Sequence, residues 1–352
     1  MRSRRILVAP INWGLGHATR CILLIKKLEE KGFSPVIASD GAALELLKKE
    51  FPHIKAFELP SYNITYTSRG SLLKWKLLMD SPHILKNIKK EKKATKDLVE
   101  KLNLHGIISD SRFGVRYKHL PNVFITHQLN VLSGNTTFLS SRIHQEYIRK
   151  YDQCWVPDAP KKPNLSGFLG HVKNSQDNVS YLGILSRFEK KDLEIKYHYM
   201  VLLSGPEPQR SLLEKILFSE LKTSTKKILF IRGVIDDKVV EAPAANIEVK
   251  NYLFGKELEQ ALNSSKIIIA RSGYTTLMDL AKLEKKAFFI PTPGQFEQEY
   301  LAERMMKLGF APYCDQRDFN LKELEKAENF SGLRDPGFVC DYSRLFSLFQ
   351  SK

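Results

Sequence analysis

Short apolar runs, each ended by a glycine or polar turn and followed by a segment with apolar positions three or four apart, recur along most of the chain. RILVAP at 5–10 is the first, and INWGLGHATRCILLIKKLEEKG then turns through Gly14 and Gly16 into an amphipathic helix that Gly32 ends. SPVIASD predicts a second strand and GAALELLKKEF a second helix. This β-α-β-α alternation implies a parallel, doubly wound sheet, in which ligands bind at the carboxyl ends of the strands. HGIIS at 105–109 and VFITHQL at 123–129 extend the pattern, followed by a helix through 142–151 and the strand QCWVPD. The polar stretch 159–180 lacks periodicity and reads as loop and linker.

A second series begins with YHYMVLLSGPEPQR, a strand and glycine turn, and continues through a helix, KKILFIRG, a strand at 247–249 and the segment 258–262. It leads to IIIARSGYTTLMDLAKLEKKAFFIPTPGQFEQEYLA at 267–302. Here a buried strand breaks at Arg271, Ser272 and Gly273, and a helix is predicted to start near Thr275. Its first turn would offer free N–H groups and a positive dipole end beside Ser272, Thr275 and Thr276, an arrangement suited to phosphate. Asp279, one turn on, could accept hydrogen bonds from sugar hydroxyls, and Gln295 and Gln298 add neutral donors after the next strand. The reading is an α/β chain of two Rossmann-like domains, 1–186 and 187–330. A short amphipathic helix in 331–352 is expected to pack back on the first.

Composition narrows the function. The chain has 352 residues, enough for two domain cores. No apolar run approaches a membrane span, and the first residues lead straight into a strand with no signal-peptide core, so the expected location is cytoplasmic. Cys21, Cys154, Cys314 and Cys340 are far apart and form neither CxxC nor Cys/His ligand spacing, which argues against zinc and against a disulfide framework. The formal charge of +16 attracts nucleic acid, anionic lipid or phosphorylated substrates alike. With no zinc-finger, RNP-like or helix-turn-helix signal, nucleic acid is not the expected partner. The lysine-rich segment 61–101, with Leu72, Trp75, Leu77 and Ile88 interleaved, admits two readings. One is a solvated helix with an apolar face on the core, and the other is an element peripheral to an anionic membrane surface.

Two glycine turns, at Gly14-Leu15-Gly16-His17 and at Ser204-Gly205, each follow a strand and precede a helix, but neither is a GxGxxG fingerprint. Each could be an ordinary turn needing positive φ. In combination they suggest two α/β domains facing each other across a cleft. His17, at a strand end, can take a proton near neutral pH, and Asp110, at the end of another strand, can orient it. Asp110 could instead be a helix N-cap, and His17 could only bind phosphate or cap its helix. His127, in FITHQL, also lies at a strand end and could meet an acceptor.

These motifs resemble those of the GT-B glycosyltransferases, specifically glycosyltransferase family 28 with its lipid II-forming branch. ARSGYTTLMDLAKLEKKAFFIPTPGQFEQEYLA is similar to the family's donor pattern of RSG, a threonine, an acidic residue, a proline-containing strand end, and Gln followed four residues later by Ala. INWGLGHATR looks like its glycine loop GGTGGH, YLGILSR like its linker GNPVR, and LLSGPEPQR like the loop facing the pyrophosphate. The resemblance implies an inverting, metal-independent hexosyltransferase that uses a UDP-sugar as co-substrate and needs no cofactor. In it Ser204, Gly205, Ser272 and Gly273 cradle the diphosphate and Arg187 neutralises it. Asp279 stands where the family has a glutamate holding the ribose. Gln298 and Gln295 meet the sugar, and the backbone at Tyr252 and Leu253 meets uracil. Related UDP-sugar transferases use a His-Asp pair, which implies that role for His17 and Asp110. The acceptor would be an alcohol, and the basic charge favours a lipid-linked one at the inner membrane surface. A UDP-N-acetylglucosamine 2-epimerase shares this two-domain shape, though no matching acidic cluster is seen, and a non-catalytic sugar-nucleotide binding subunit is a third class.

Overall fold

The computed structural model describes residues 3–62, 81–172, 178–205, 207–234, 236, 238 and 240–350. The chain divides into two compact units, with the break at 187/188 and a return to the first unit at 336.

The first unit is a seven-stranded, wholly parallel sheet in the order β3-β2-β1-β4-β5-β6-β7. Its strands are β1 (Arg5–Pro10), β2 (Ser34–Ser39), β3 (Ala56–Glu58), β4 (Gly106–Asp110), β5 (Asn122–Ile125), β6 (Gln153–Val156) and β7 (Val179–Tyr181). The central strands are buried over almost their whole length, which is why they read as continuous apolar runs rather than alternating ones. Helices α1 (Gly16–Glu30), α2 (Gly41–Glu50), α3 (Ser81–Leu102) and α4 (Thr137–Ile148) make the crossovers. The order reverses between β1 and β4, so the crevice where a doubly wound sheet takes ligands lies between their carboxyl ends.

Two expectations change here. The stretch read as linker is packed structure. Leu165, Ser166 and Leu169 are buried, and the buried Asp158 carboxylate accepts the N–H groups of Ala159 (2.8 Å), Leu165 (2.9 Å) and Ser166 (2.8 Å). One carboxylate satisfying three amides lets an aperiodic polar segment stay ordered, and its end forms the edge strand β7. The helix read at 142–151 runs instead from Thr137 to Ile148, continuing a 3₁₀ turn at Gly134–Thr136 in which Thr137 Oγ1 donates to the Gly134 carbonyl (2.6 Å). Of the lysine-rich segment, 63–80 lies outside the described residues. In α3 the side chains of Asn87, Ile88, Glu91, Thr95, Leu98, Val99 and Leu102 are buried, a helical stripe against the sheet with lysines on the other face.

The second unit is a five-stranded parallel sheet, β10-β9-β8-β11-β12. It is made of β8 (Tyr197–Leu202), β9 (Ile228–Ile231), β10 (Ile247–Lys250), β11 (Ser265–Ala270) and β12 (Lys286–Phe289). Helices α5 (Gln209–Leu221), α6 (Gly255–Asn263), α7 (Tyr274–Lys282), α8 (Phe296–Lys307) and α9 (Leu321–Glu325) complete it. Its switch point lies between β8 and β11. Residues 336–350, with α10 (Tyr342–Phe346), pack with the first unit, where Phe346 and Phe349 meet Phe33 edge-on at 5.9 and 6.2 Å between centroids.

Candidate active site

In the first sheet, Pro10 of β1 is paired with Asp110 of β4, and Asp110 with Ile125 of β5. The chain leaving β1 turns at Gly14, whose φ of +77° favours glycine, and enters α1 at Gly16 with Leu15 at the N-cap position. His17 therefore stands in the first turn of α1, over the end of β4. His127 follows β5 by two residues.

These placements converge. His17 Nδ1 lies 2.8 Å from Asp110 Oδ1. The histidine side chain is 16% exposed and the aspartate fully buried. Arg20, one turn along α1 and 1% exposed, grips both oxygens of Asp110, with Nε 2.5 Å from Oδ2 and Nη2 on Oδ1. Its Nη2 is also 2.9 Å from His17 Nδ1, and its Nη1 is 3.2 Å from Nδ1 of the buried His127. Cys21 Sγ lies 3.6 Å from Asp110 Oδ2.

Burial would raise the Asp110 carboxyl, but the Arg20 guanidinium, and then His17, hold it well below the usual carboxylate range. His17 is pushed below its ordinary value, first by burial and then by Arg20, with Asp110 opposing. Its imidazole is thus neutral at neutral pH, with Nδ1 toward a carboxylate, which leaves Nε2 to take a proton. Burial raises the Cys21 thiol well above its ordinary range, so it is a packed thiol and not a nucleophile.

Sequence reasoning missed Arg20 and the support behind it. The only signal for Arg20 was its i,i+3 spacing from His17 on one helix face. Behind the site, buried Arg112 pairs with Asp40 and Glu91 (2.7 Å to Oε1) and donates to the Pro10 carbonyl (2.9 Å), fixing the end of β1 where the glycine turn begins. That network joins β1, α3 and the loops that follow β2 and β4.

In the second unit the register sets the order of the candidate donor groups. Leu202 of β8 is paired with Ala270 of β11, so Ser204-Gly205 and Ser272-Gly273 leave neighbouring strands at the same level, two and three residues past the paired positions. Both Ser204 and Gly205 are exposed, and Gly205 has φ +102° with open space where a Cβ would be. Gly273 is the extended N-cap of α7 with no side-chain cap, so the helix presents its first amides there. Thr275, Thr276 and Asp279 are half-buried on α7. Tyr252 and Leu253 follow β10 at one side, the Tyr252 ring tilted 35° to that of Phe254 with centroids 5.0 Å apart. Gln295 caps α8 beyond β12 at the other side. Gln298 Oε1 accepts the Thr292 N–H (2.9 Å), which fixes the orientation of the side-chain amide. Arg187 is half-buried at the last position of the first unit's long segment.

Two donor candidates have different employment. Arg271 is 2% exposed, and its guanidinium donates to the carbonyls of Ile290 (3.0 Å), Pro291 (3.0 Å) and Gln209 (3.0 Å) and to Gln316 Oε1 (2.7 Å). Its reading as a donor-binding side chain gives way to that of a buried clamp tying the ends of β11 and β12 to α5, because a guanidinium with these acceptors has little left for a phosphate. The Ser272 hydroxyl donates to the Gln298 carbonyl (2.7 Å), so its contribution at a phosphate is its backbone amide. Among the described residues no group of three or more His, Cys, Asp and Glu is placed to hold a metal ion.

Residues 201–329 match the glycosyltransferase family 28 C-terminal domain. An uncharacterized glycosyltransferase of Methanosarcina acetivorans is 23% identical over 337 residues, covering 87% of this chain and 84% of that protein. Another, of Methanopyrus kandleri, is 20% identical over 315 residues, covering 86% and 90%. Among solved structures, MurG of Acinetobacter baumannii aligns over 99% of this chain and 100% of its own with a TM-score of 0.58 at 15% identity. The spinosyn forosaminyltransferase SpnP covers 99% and 100% with a TM-score of 0.64 at 13% identity. LpCGTa, solved in complex with UDP, covers 93% of this chain and 89% of its own with a TM-score of 0.59 at 12% identity. Residues 201–329, within the second unit, thus match the family 28 C-terminal domain, and the whole chain has the fold of the GT-B glycosyltransferase structures it aligns with.

Proposed function

We propose that the protein is an inverting, metal-independent hexosyltransferase that moves a hexose or N-acetylhexosamine from a UDP-sugar to an alcohol. The observation that carries this is the His17–Asp110 pair, 2.8 Å apart at the switch point of the first sheet, in a chain whose second unit carries the family 28 domain. His17 Nε2 accepts the proton of the acceptor hydroxyl as its oxygen attacks the anomeric carbon. Asp110 holds the tautomer and stabilises the imidazolium that forms. The leaving diphosphate is received by the amides at Ser204-Gly205 and at the start of α7, with Arg187 and the helix dipole adding positive charge.

The strand order supports this division of the donor. Tyr252 and Leu253, beyond β10, lie on the nucleoside side. The β8 and β11 loops at the switch point take the diphosphate, and Gln295 and Gln298 beyond β12 take the sugar. The UDP in LpCGTa supports a uridine nucleotide. A lipid-linked acceptor fits the net charge, with the protein cytoplasmic and peripheral at the inner membrane surface.

The test separates chemistry from donor binding. His17→Ala should lower transfer by about 10²–10⁴-fold while UDP and the UDP-sugar still raise the melting temperature as they do in the parent protein. Turnover at the parent rate removes His17 as the base. A panel of nucleotide sugars that leaves the melting temperature of the parent unmoved removes the donor reading.

A further inference from the structure

Arg20 meets polar atoms of three side chains, Asp110, His17 and His127, and a guanidinium is a donor in every one of these contacts because it has no lone pair to offer. That asymmetry decides the protonation of both histidines beside it. His127 Nδ1, 3.2 Å from Arg20 Nη1, must present its lone pair there, so the proton of neutral His127 sits on Nε2. His17 Nδ1 faces the opposite demand, since it is 2.8 Å from Asp110 Oδ1, an acceptor. Arg20 Nη2 also approaches that nitrogen at 2.9 Å, but the buried carboxylate anion outweighs it and keeps the proton on Nδ1.

We propose that Arg20 is a positioning residue with two effects: it anchors the Asp110 carboxylate that keeps His17 protonated on Nδ1 with a free Nε2 lone pair, and it fixes His127 as the Nε2-protonated tautomer, a hydrogen-bond donor. The assignment rests on the reading of His17 as the base and adds a second group of fixed polarity. The site then holds one imidazole that accepts a proton and one that presents a donor on its Nε2 side. The charged and titratable groups acting on His17 are Arg20 from α1, Asp110 at the end of β4 and His127 beyond β5. Cys21 and Ser111 contact the Asp110 carboxylate, and His144 of α4 faces His127 in turn. Arg20 and His127 oppose protonation of His17 and Asp110 favours it.

Heteronuclear NMR of the full-length protein labelled with ¹⁵N-histidine reads the tautomers and titrations directly, without acceptor or donor. The expected result is an Nδ1–H signal for His17 and an Nε2–H signal for His127, with His17 titrating below an ordinary histidine. Arg20→Met should move the His17 titration upward and remove the single-tautomer preference of His127. Arg20→Lys, which keeps the charge, should retain the low His17 titration. An Nδ1–H tautomer for His127 in the parent protein overturns the proposal, even if Arg20→Met does not fold. So does an Arg20→Met protein whose two histidines behave as in the parent, or an Arg20→Lys protein whose His17 titration rises as far as that of Arg20→Met. Loss of the base role, read by retained turnover in His17→Ala, would leave these tautomers in place, so the two failures are told apart.

Discussion

His144 shows how a single buried residue makes the fold respond to pH. Burial lowers its pKa to about 4, and Nε2 is buried without a hydrogen-bond partner. His17 is lowered as well. An unfolded histidine titrates near ~6.5, so between that pH and about 4 the unfolded chain binds more protons than the folded one, and stability falls as pH drops through this window. Asp110 acts lower down. Its depressed carboxyl contributes stability above its unfolded value of ~3.9, lost as pH falls further. The expected outcome is a melting temperature that declines from pH 6.5 toward 4, with a shallower decline in His144→Leu, measured by thermal denaturation across buffers. An unchanged slope in the variant would show that His144 does not carry a buried neutral imidazole. At this scale much was legible. His17, Asp110 and His127 are visible as polar residues ending apolar runs. Arg20 is not, because a lone arginine in an amphipathic helix is ordinarily a solvated one, and only folding brings a carboxylate ninety positions away beneath it.

Among elements, α7 offers the cleanest test of the donor reading. A Cβ on Gly273 would meet only Thr276 Oγ1 at 4.0 Å, and its φ of −68° is open to any residue. The glycine is therefore not required by the fold. Gly273→Ala should leave the melting temperature within about ±0.5 kcal/mol of the parent in stability terms while weakening UDP-sugar binding several-fold by isothermal titration. Equal affinity would mean that no diphosphate approaches that turn. The limits of β1, β2 and α2 were legible because glycine and buried apolar runs mark them. The order in 159–172 was not, since it depends on the Asp158 carboxylate collecting amides after the chain has folded back. The carboxyl-terminal segment shows the same dependence, because Arg4 reaches the Phe349 carbonyl (2.6 Å) across almost the full sequence.

For the whole molecule, the charge of +16 makes association with anionic surfaces the property to measure. The protein should co-sediment with vesicles containing anionic lipid more than with neutral ones, and added salt should weaken this because exposed charges are screened over roughly 10 Å at 0.1 M. Equal sedimentation with both vesicle types would remove the membrane-surface reading. Among the described residues no helix is long and apolar enough to cross a membrane.

The stretch 267–302 contains within itself a strand, a glycine break and a helix start with no side-chain cap, so local sequence alone determined the exposed helix amides on which the donor reading rests. The alternation of runs likewise determined two parallel α/β units, because periodicity and chain reversal are short-range properties. Tertiary structure decided which polar residues meet. It committed the Arg271 guanidinium to buried carbonyls, and it set the loops after β10, β8, β11 and β12 in that order along one edge of the sheet. It also placed Arg20 between Asp110 and two histidines. The physical reason is that strand order and register are long-range pairings, and the protonation of a buried imidazole is decided by partners that only those pairings bring within hydrogen-bond distance.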